Sequence, residues 1–136
     1  HGDIFLEDLR AYREKNLTRL GMRGVFPLWK RDTSELIETF IASGFRAYLS
    51  CVEGKLGESF AGRAIDAALI DDLPEGVDPC GEYGEFHSFV YEGPIFNTPI
   101  DIVVGETVCR DTRYYADLLP AGSSVAATEI PPVGRV

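Results

Sequence analysis

Cysteine, methionine and tryptophan are scarce in this chain of 136 residues: three, one and one. The cysteines, Cys51, Cys80 and Cys109, are odd in number and widely spaced, which excludes a disulfide framework and fits a reducing, cytoplasmic setting. Long hydrophobic runs are missing as well. No stretch approaches the ~20 apolar residues of a membrane span, and the N-terminal region is too charged for a signal peptide. Positive charge is short: 13 Lys and Arg stand against 22 Asp and Glu, a net charge of -9. That balance argues against a protein that grips nucleic acid by bulk charge. Internal repeats are absent too. What remains, 45% hydrophobic and 26% charged residues, is the composition of one folded domain with a real core. The chain opens on His1 and its single methionine is Met22, so it is expected to be part of a longer protein.

Periodicity divides the chain into elements. His1 to Phe5 reads as a strand end or loop, followed by a charged amphipathic helix with Leu6, Leu9, Tyr12 or Arg13, Leu17 and Leu20 at three- and four-residue steps, stopped by Gly21. Val25 to Trp29, broken by Pro27, reads as an extended segment. Asp32 with Glu35 three residues on forms a capping signature for a second helix, its buried face Leu36, Ile37, Phe40 and Ile41. Phe45 to Val52 has strand composition, and a third helix is expected from about Ala61 to Asp71. Phe86 to Tyr91 and Ile100 to Val104 continue a sheet, with a turn at Phe96 to Pro99. Arg110, Asp111 and Arg113 read as a charged strand end, and residues 120–136 as a mobile tail. Helices alternating with strands predict an α/β domain.

One segment carries most of the candidate chemistry: Asp78-Pro-Cys-Gly-Glu-Tyr-Gly-Glu-Phe-His87. Gly81 and Gly84 free the backbone to approach a ligand and to turn successive N–H groups toward an anion. If Glu85 to Tyr91 is a strand, Glu85, His87, Phe89 and Tyr91 share one face and Phe86, Ser88 and Val90 the other. A carboxylate and an imidazole side by side suit proton abstraction from an amine. The plainer alternative is a solvated Glu and His beside ordinary turn glycines. Cys80 with His87 is a weak metal pair, since no second pair completes it, and Cys80 lacks an activating partner for a nucleophile. Asp3 stands either at a strand end that holds a ligand or at a plain helix cap, and Arg63 could meet a phosphate.

In combination the motifs are more specific. Gly2-Asp-Ile-Phe-Leu-Glu-Asp-Leu-Arg10, Phe26-Pro-Leu-Trp29, Ser59-Phe-Ala-Gly-Arg63, Val77 to His87 and Tyr91-Glu-Gly-Pro-Ile-Phe96, in that order, resemble the bacterial branch of the diphthine–ammonia ligase family, within the PP-loop (N-type ATP pyrophosphatase) superfamily. Tyr83 departs from the usual Asn of that pattern and Ser88 from the usual Thr. The resemblance implies the end of a HUP-type nucleotide-binding domain (1–22), then a small α/β substrate domain (23–119) and the tail. It implies a ligase that adenylates a small-molecule or protein carboxylate with ATP and lets ammonia form the amide. Glu82, Glu85 and His87 would be catalytic, and Asp78, Cys80, Gly81, Gly84 and Arg63 would bind substrate. Gly2 and Asp3 would border the ATP, whose Ser-Gly-Gly-Lys-Asp-Ser loop, with Mg2+, belongs to a part that this sequence does not contain. A non-catalytic binding module for a small acid or protein is the alternative. Self-association is expected if the first helix lacks its sheet.

Overall fold

The computed structural model describes residues 1–122. Two helices, α1 (Glu7–Arg19) and α2 (Thr33–Ala42), lead into strand β1 (Arg46–Glu53). A single 3-10 turn (Glu58–Phe60) and the short helix α3 (Ala67–Asp72) precede β2 (Phe86–Glu92), β3 (Ile102–Arg110) and β4 (Arg113–Pro120). The four strands form one sheet in the order β2-β1-β4-β3, and each pairing is antiparallel. The α/β expectation holds in this mixed, antiparallel form.

Strand β1 is the axis. Along one edge it pairs with β2 for nearly its whole length, and on the other edge β4 reaches only Cys51 to Glu53. The rest of that edge is covered by residues 62–65: the Leu49 N–H donates to Arg63 O at 2.8 Å, Gly62 N–H to Leu49 O at 2.7 Å and Ile65 N–H to Ala47 O at 2.9 Å. This pairing corrects the expected third helix. The chain from Ala61 stays extended to serve β1, and α3 starts only after Asp66, whose carboxylate caps it by accepting from Leu69 N–H at 2.8 Å. Ile65 and Leu69 are buried as expected, whereas Ala68 is exposed.

The core lies where α2 and α3 meet one face of β1 and β2, among Ile37, Leu49, Val52, Leu56, Ile65, Leu69 and Phe86. Helix α2 starts as its sequence dictates: the Asp32 carboxylate accepts from Glu35 N–H at 3.0 Å. Of its expected apolar face Ile37 is buried, while Leu36, Phe40 and Ile41 are half-buried.

Two further expectations are corrected. None of α1 is buried, and Tyr12 and Leu20 are exposed, so its leucines do not form a core face. Its principal neighbour is the Phe26–Trp29 turn, whose two rings flank the Arg10 guanidinium at 4.7 and 4.6 Å. That segment is a turn rather than extended: Trp29 N–H donates to Phe26 O at 3.2 Å, with Pro27 in the position a turn favours. The charged strand end holds, since β3 ends at Arg110 and β4 begins at Arg113, with Asp111 and Thr112 at φ of 47° and 67° forming the hairpin corner between them. Of the expected tail, Pro120 ends β4, and 123–136 lie outside the described residues. Among the described residues no helix is long and apolar enough to cross a membrane.

Leu49 is fully buried at the centre of this core. Replacing it with Ala is expected to cost about 3 kcal/mol in urea-denaturation stability. A loss below about 1 kcal/mol would mean that the core packs elsewhere.

Candidate functional site

The loop from Asp78 to Glu85 is built by its own carboxylates. Two turns run in series, with Gly81 N–H donating to Asp78 O at 2.9 Å and Gly84 N–H to Gly81 O at 3.0 Å. Asp78 Oδ2 accepts from the N–H groups of Cys80 and Glu82, both at 3.0 Å. Glu85, only 9% exposed, reaches back with both oxygens: Oε1 accepts from Asp78 N–H at 3.1 Å and Oε2 from Tyr83 N–H at 2.9 Å. Each N–H from Cys80 to Gly84 therefore already has an acceptor inside the loop. The loop is not an anion nest, because a bound phosphate would have to displace these partners.

Gly81 answers to packing as well as to backbone conformation. At φ of 65°, a side chain there would meet the Phe86 ring at 2.9 Å and its carbonyl oxygen at 3.0 Å. The close approach serves Phe86 rather than a ligand.

Glu82 points the other way. Its Oε1 accepts the N–H groups of Ile4, in a short bond of 2.6 Å, and Phe5, at 3.0 Å. This carboxylate clamps the N-terminal segment onto the loop, and Lys30 N–H to Ile4 O at 2.9 Å ties residues 26–31 to the same place. Asp3 is not open to a ligand. It is buried and ion-paired with Arg13, whose Nε lies 2.8 Å from Oδ2 and whose second contact to Oδ1 is 3.3 Å.

Between the clamped segment and the sheet lies a cavity of about 390 Å³. Gly2, Ile4 and Leu28 form one wall, Leu36 and Phe40 of α2 another, and Phe45, Phe86 and Ser88 its sheet side. Cys80 and Glu82 close the loop end. Phe40 and Phe45 are stacked, with centroids 5.1 Å apart. Gly93 lies directly beneath Phe45, where any side chain would collide with the ring. The Gly93-Pro-Ile-Phe96 motif thus places an aromatic wall.

Of the side chains singled out from sequence, Cys80, Glu82 and Gly2 meet at this cavity. Glu85 and His87 do not share a strand face, because β2 begins at Phe86 and Glu85 folds back into the loop. His87 is exposed and borders a different concavity with Ser50, Tyr115 and Asp117. Arg63 is paired with Asp72 at 2.9 Å, its guanidinium 5.2 Å from the Phe60 ring. Sequence reading missed Phe40, Phe45 and Phe86 as a binding wall. The one available signal was the alternation of Phe86 with Ser88, which does put both on the cavity side. Among the described residues no cluster of three or more His, Cys, Asp and Glu could hold a metal.

Cys80 donates its thiol to Thr33 O at 3.3 Å, tying the loop to α2. Burial, followed by the charges of Asp78, Glu82 and Asp32, pushes its pKa up to about 11. The thiol therefore stays protonated and is a poor nucleophile.

A largely apolar cavity of this size, set in a small antiparallel α/β domain, has the lining of a small-molecule site. Its relatives make the class specific. Residues 32–121 match the model of the diphthamide synthase C-terminal domain, and the chain belongs to that family. The diphthine–ammonia ligase of Danio rerio is 32% identical over 121 residues, 82% of this chain and 46% of that protein. The Schizosaccharomyces pombe enzyme of the same name is 31% identical over 113 residues, 79% of this chain and 18% of that protein, and the Homo sapiens one is 28% identical over 118 residues, 82% and 44%. The chain thus spans less than half the length of these curated relatives.

Two measurements follow from this geometry. At pH 8, iodoacetamide should modify Cys80 about a hundredfold more slowly than an unperturbed thiol of pKa 9.0, while exposed Cys109 labels readily. Comparable labelling of the two would overturn the protonated, tethered thiol. Glu85→Gln replaces one acceptor with an amide that cannot receive a backbone N–H, so thermal unfolding should show a loss of about 1–3 kcal/mol. An unchanged melting temperature would mean that Glu85 does not hold the loop.

Proposed function

We propose that this domain is the substrate-holding part of an ATP-dependent, amide-forming ligase, in which a carboxylate is adenylated and ammonia then displaces AMP. Residues 1–22 would be the end of the nucleotide-binding part and residues 23–119 the substrate domain. Membership of the diphthamide synthase C-terminal domain family carries this reading. The names of the relatives supply the ammonia-dependent ligation, and a carboxylate must gain a good leaving group before ammonia can attack it.

The residues present do not fit the triphosphate. The cavity wall has no Lys or Arg, the loop N–H groups are spent, and Asp3 is committed to Arg13. No step of nucleotide chemistry is therefore assigned to this chain. What it offers is a largely apolar cavity beside Glu82, which suits exclusion of water from an activated acyl group. Of the three side chains first considered catalytic, Glu82 alone faces that cavity. Asp78 and Glu85 act by shaping its loop, and His87 sits on the other side of β2. The binding-module reading thus describes what this piece contributes to the ligase.

The test is release of AMP and pyrophosphate, dependent on both ammonia and a candidate acid, by the longer protein that carries this domain. Glu82→Ala in that protein should lower kcat/KM for the acid by about tenfold or more, while KM for ATP changes by less than about twofold. An unchanged kcat/KM for the acid, or a loss seen equally in KM for ATP, would remove the cavity from the reaction.

A further inference from the structure

Strand β3 is an edge of the sheet, paired with β4 on one side only. Among the described residues, no backbone group of Ile102 to Arg110 bonds to any segment other than β4. Edge strands are ordinarily kept short, or blunted with Pro or Lys. This one has nine residues, neither Pro nor Lys, and exposed Val103, Val104 and Cys109. Its two charges, Glu106 and Arg110, are of opposite sign and exposed, and neither has an ion-pair partner among the described residues.

An open edge is completed by another strand. A second copy of β3 is the partner whose fit can be checked residue by residue. A two-fold axis normal to the sheet sets the two strands antiparallel, keeps facing residues on one face, and passes through a residue of β3. Through Glu106 it would bring two carboxylates together. Through Thr107 it would set Glu106 against Val108 and Arg110 against Val104, leaving both charges unanswered. Only through Val108 does each Glu106 meet the partner's Arg110. With -9 on each copy, a contact that left its own charges unanswered would be repelled. The same axis extends an existing row, since His87, Cys51, Tyr115 and Val108 are neighbours across the four strands. His87, Tyr115, Val108 and Arg110 also line one concavity, and Glu106 lies at the next two-residue step. The register shift between Val104 and Thr107 limits the pairing to Glu106 to Arg110, so the contact is small and the association weak.

We propose that β3 is a self-pairing edge: two copies of this chain join through antiparallel β3 strands about a two-fold axis at Val108, with reciprocal Glu106–Arg110 ion pairs. The two four-stranded sheets become one continuous sheet. This surface is distinct from α1, through which the sequence suggested self-association, and it does not depend on the ligase reading.

The test is sedimentation of this chain at concentrations from about 10 μM to about 1 mM, where a small interface shows its equilibrium. A monomer–dimer equilibrium is expected. Glu106→Arg and Arg110→Glu should each raise its Kd at least about fivefold, because like charges then face each other. The variant carrying both changes should return to within about twofold of the unmodified chain. A second readout uses Cys109, the exposed cysteine. In this register it lies diagonally across from the partner's Cys109, about 7–8 Å away, within reach of bismaleimidoethane. The reagent should give a covalent dimer that is lost in Cys109→Ser and reduced in Glu106→Arg. That readout on the unmodified chain carries the test if a charge variant is unfolded. A monomer throughout the range, a dimer that resists cross-linking at Cys109 or ignores both single changes, or a double variant no tighter than the singles would overturn the proposal.

Discussion

Backbone N–H groups that leave water must find acceptors, and from Asp78 to Glu85 that requirement shapes everything nearby. Two turns in eight residues cannot satisfy these groups with regular structure. Asp78 and Glu85 supply the missing acceptors with three carboxylate oxygens. The result is a rigid loop that presents Phe86 to the core, Cys80 to α2, and Glu82 to the N-terminal segment. The cavity exists because Glu82 holds that segment away from the sheet face at one fixed point.

This arrangement reassigns the acidic residues. A sequence in which Glu82 and Glu85 bracket a glycine invites an acid–base interpretation, since side chains of that type perform such chemistry. Spacing alone does not say where carboxylates spend their lone pairs. Glu85 spends both oxygens on the backbone of its own loop, and Asp78 spends Oδ2 twice, on the N–H groups of Cys80 and Glu82. Glu82 spends one oxygen on the N-terminal segment and has no second partner among the described residues. The -9 net charge has a local counterpart here, in carboxylates gathered round Cys80 with no basic residue lining the cavity.

Local signals in the sequence were reliable where one interaction decided the outcome. Asp32 and Glu35 set the start of α2, and the apolar content of residues 45–52 and 86–91 marked β1 and β2. They failed where tertiary pairing overrode local preference. Residues 62–65 fall in the expected helix but instead pair with the part of β1 that β4 does not reach. Strand β4 was missed because its tight corner uses Asp111 and Thr112, without the glycine that marks such turns. The α1 leucines have helical spacing, yet none reaches the core: Leu6, Leu9 and Leu17 are half-buried and Leu20 is exposed. Within the site, the loop was legible as a unit and Glu82, Cys80 and Gly2 do reach one cavity, whereas its aromatic wall depended on packing between segments far apart in sequence.

The family match covers the loop, the sheet and α2, while residues 1–31, which carry the lid over the cavity, lie before the matched range. All of this rests on the loop amides being saturated from within. Amide hydrogen exchange of Cys80 to Gly84, measured by NMR with and without pyrophosphate, tests it most directly. The account expects protection comparable to that of β1 and no pyrophosphate-induced shifts; rapid exchange at these five amides, or a saturable shift on adding pyrophosphate, would contradict it.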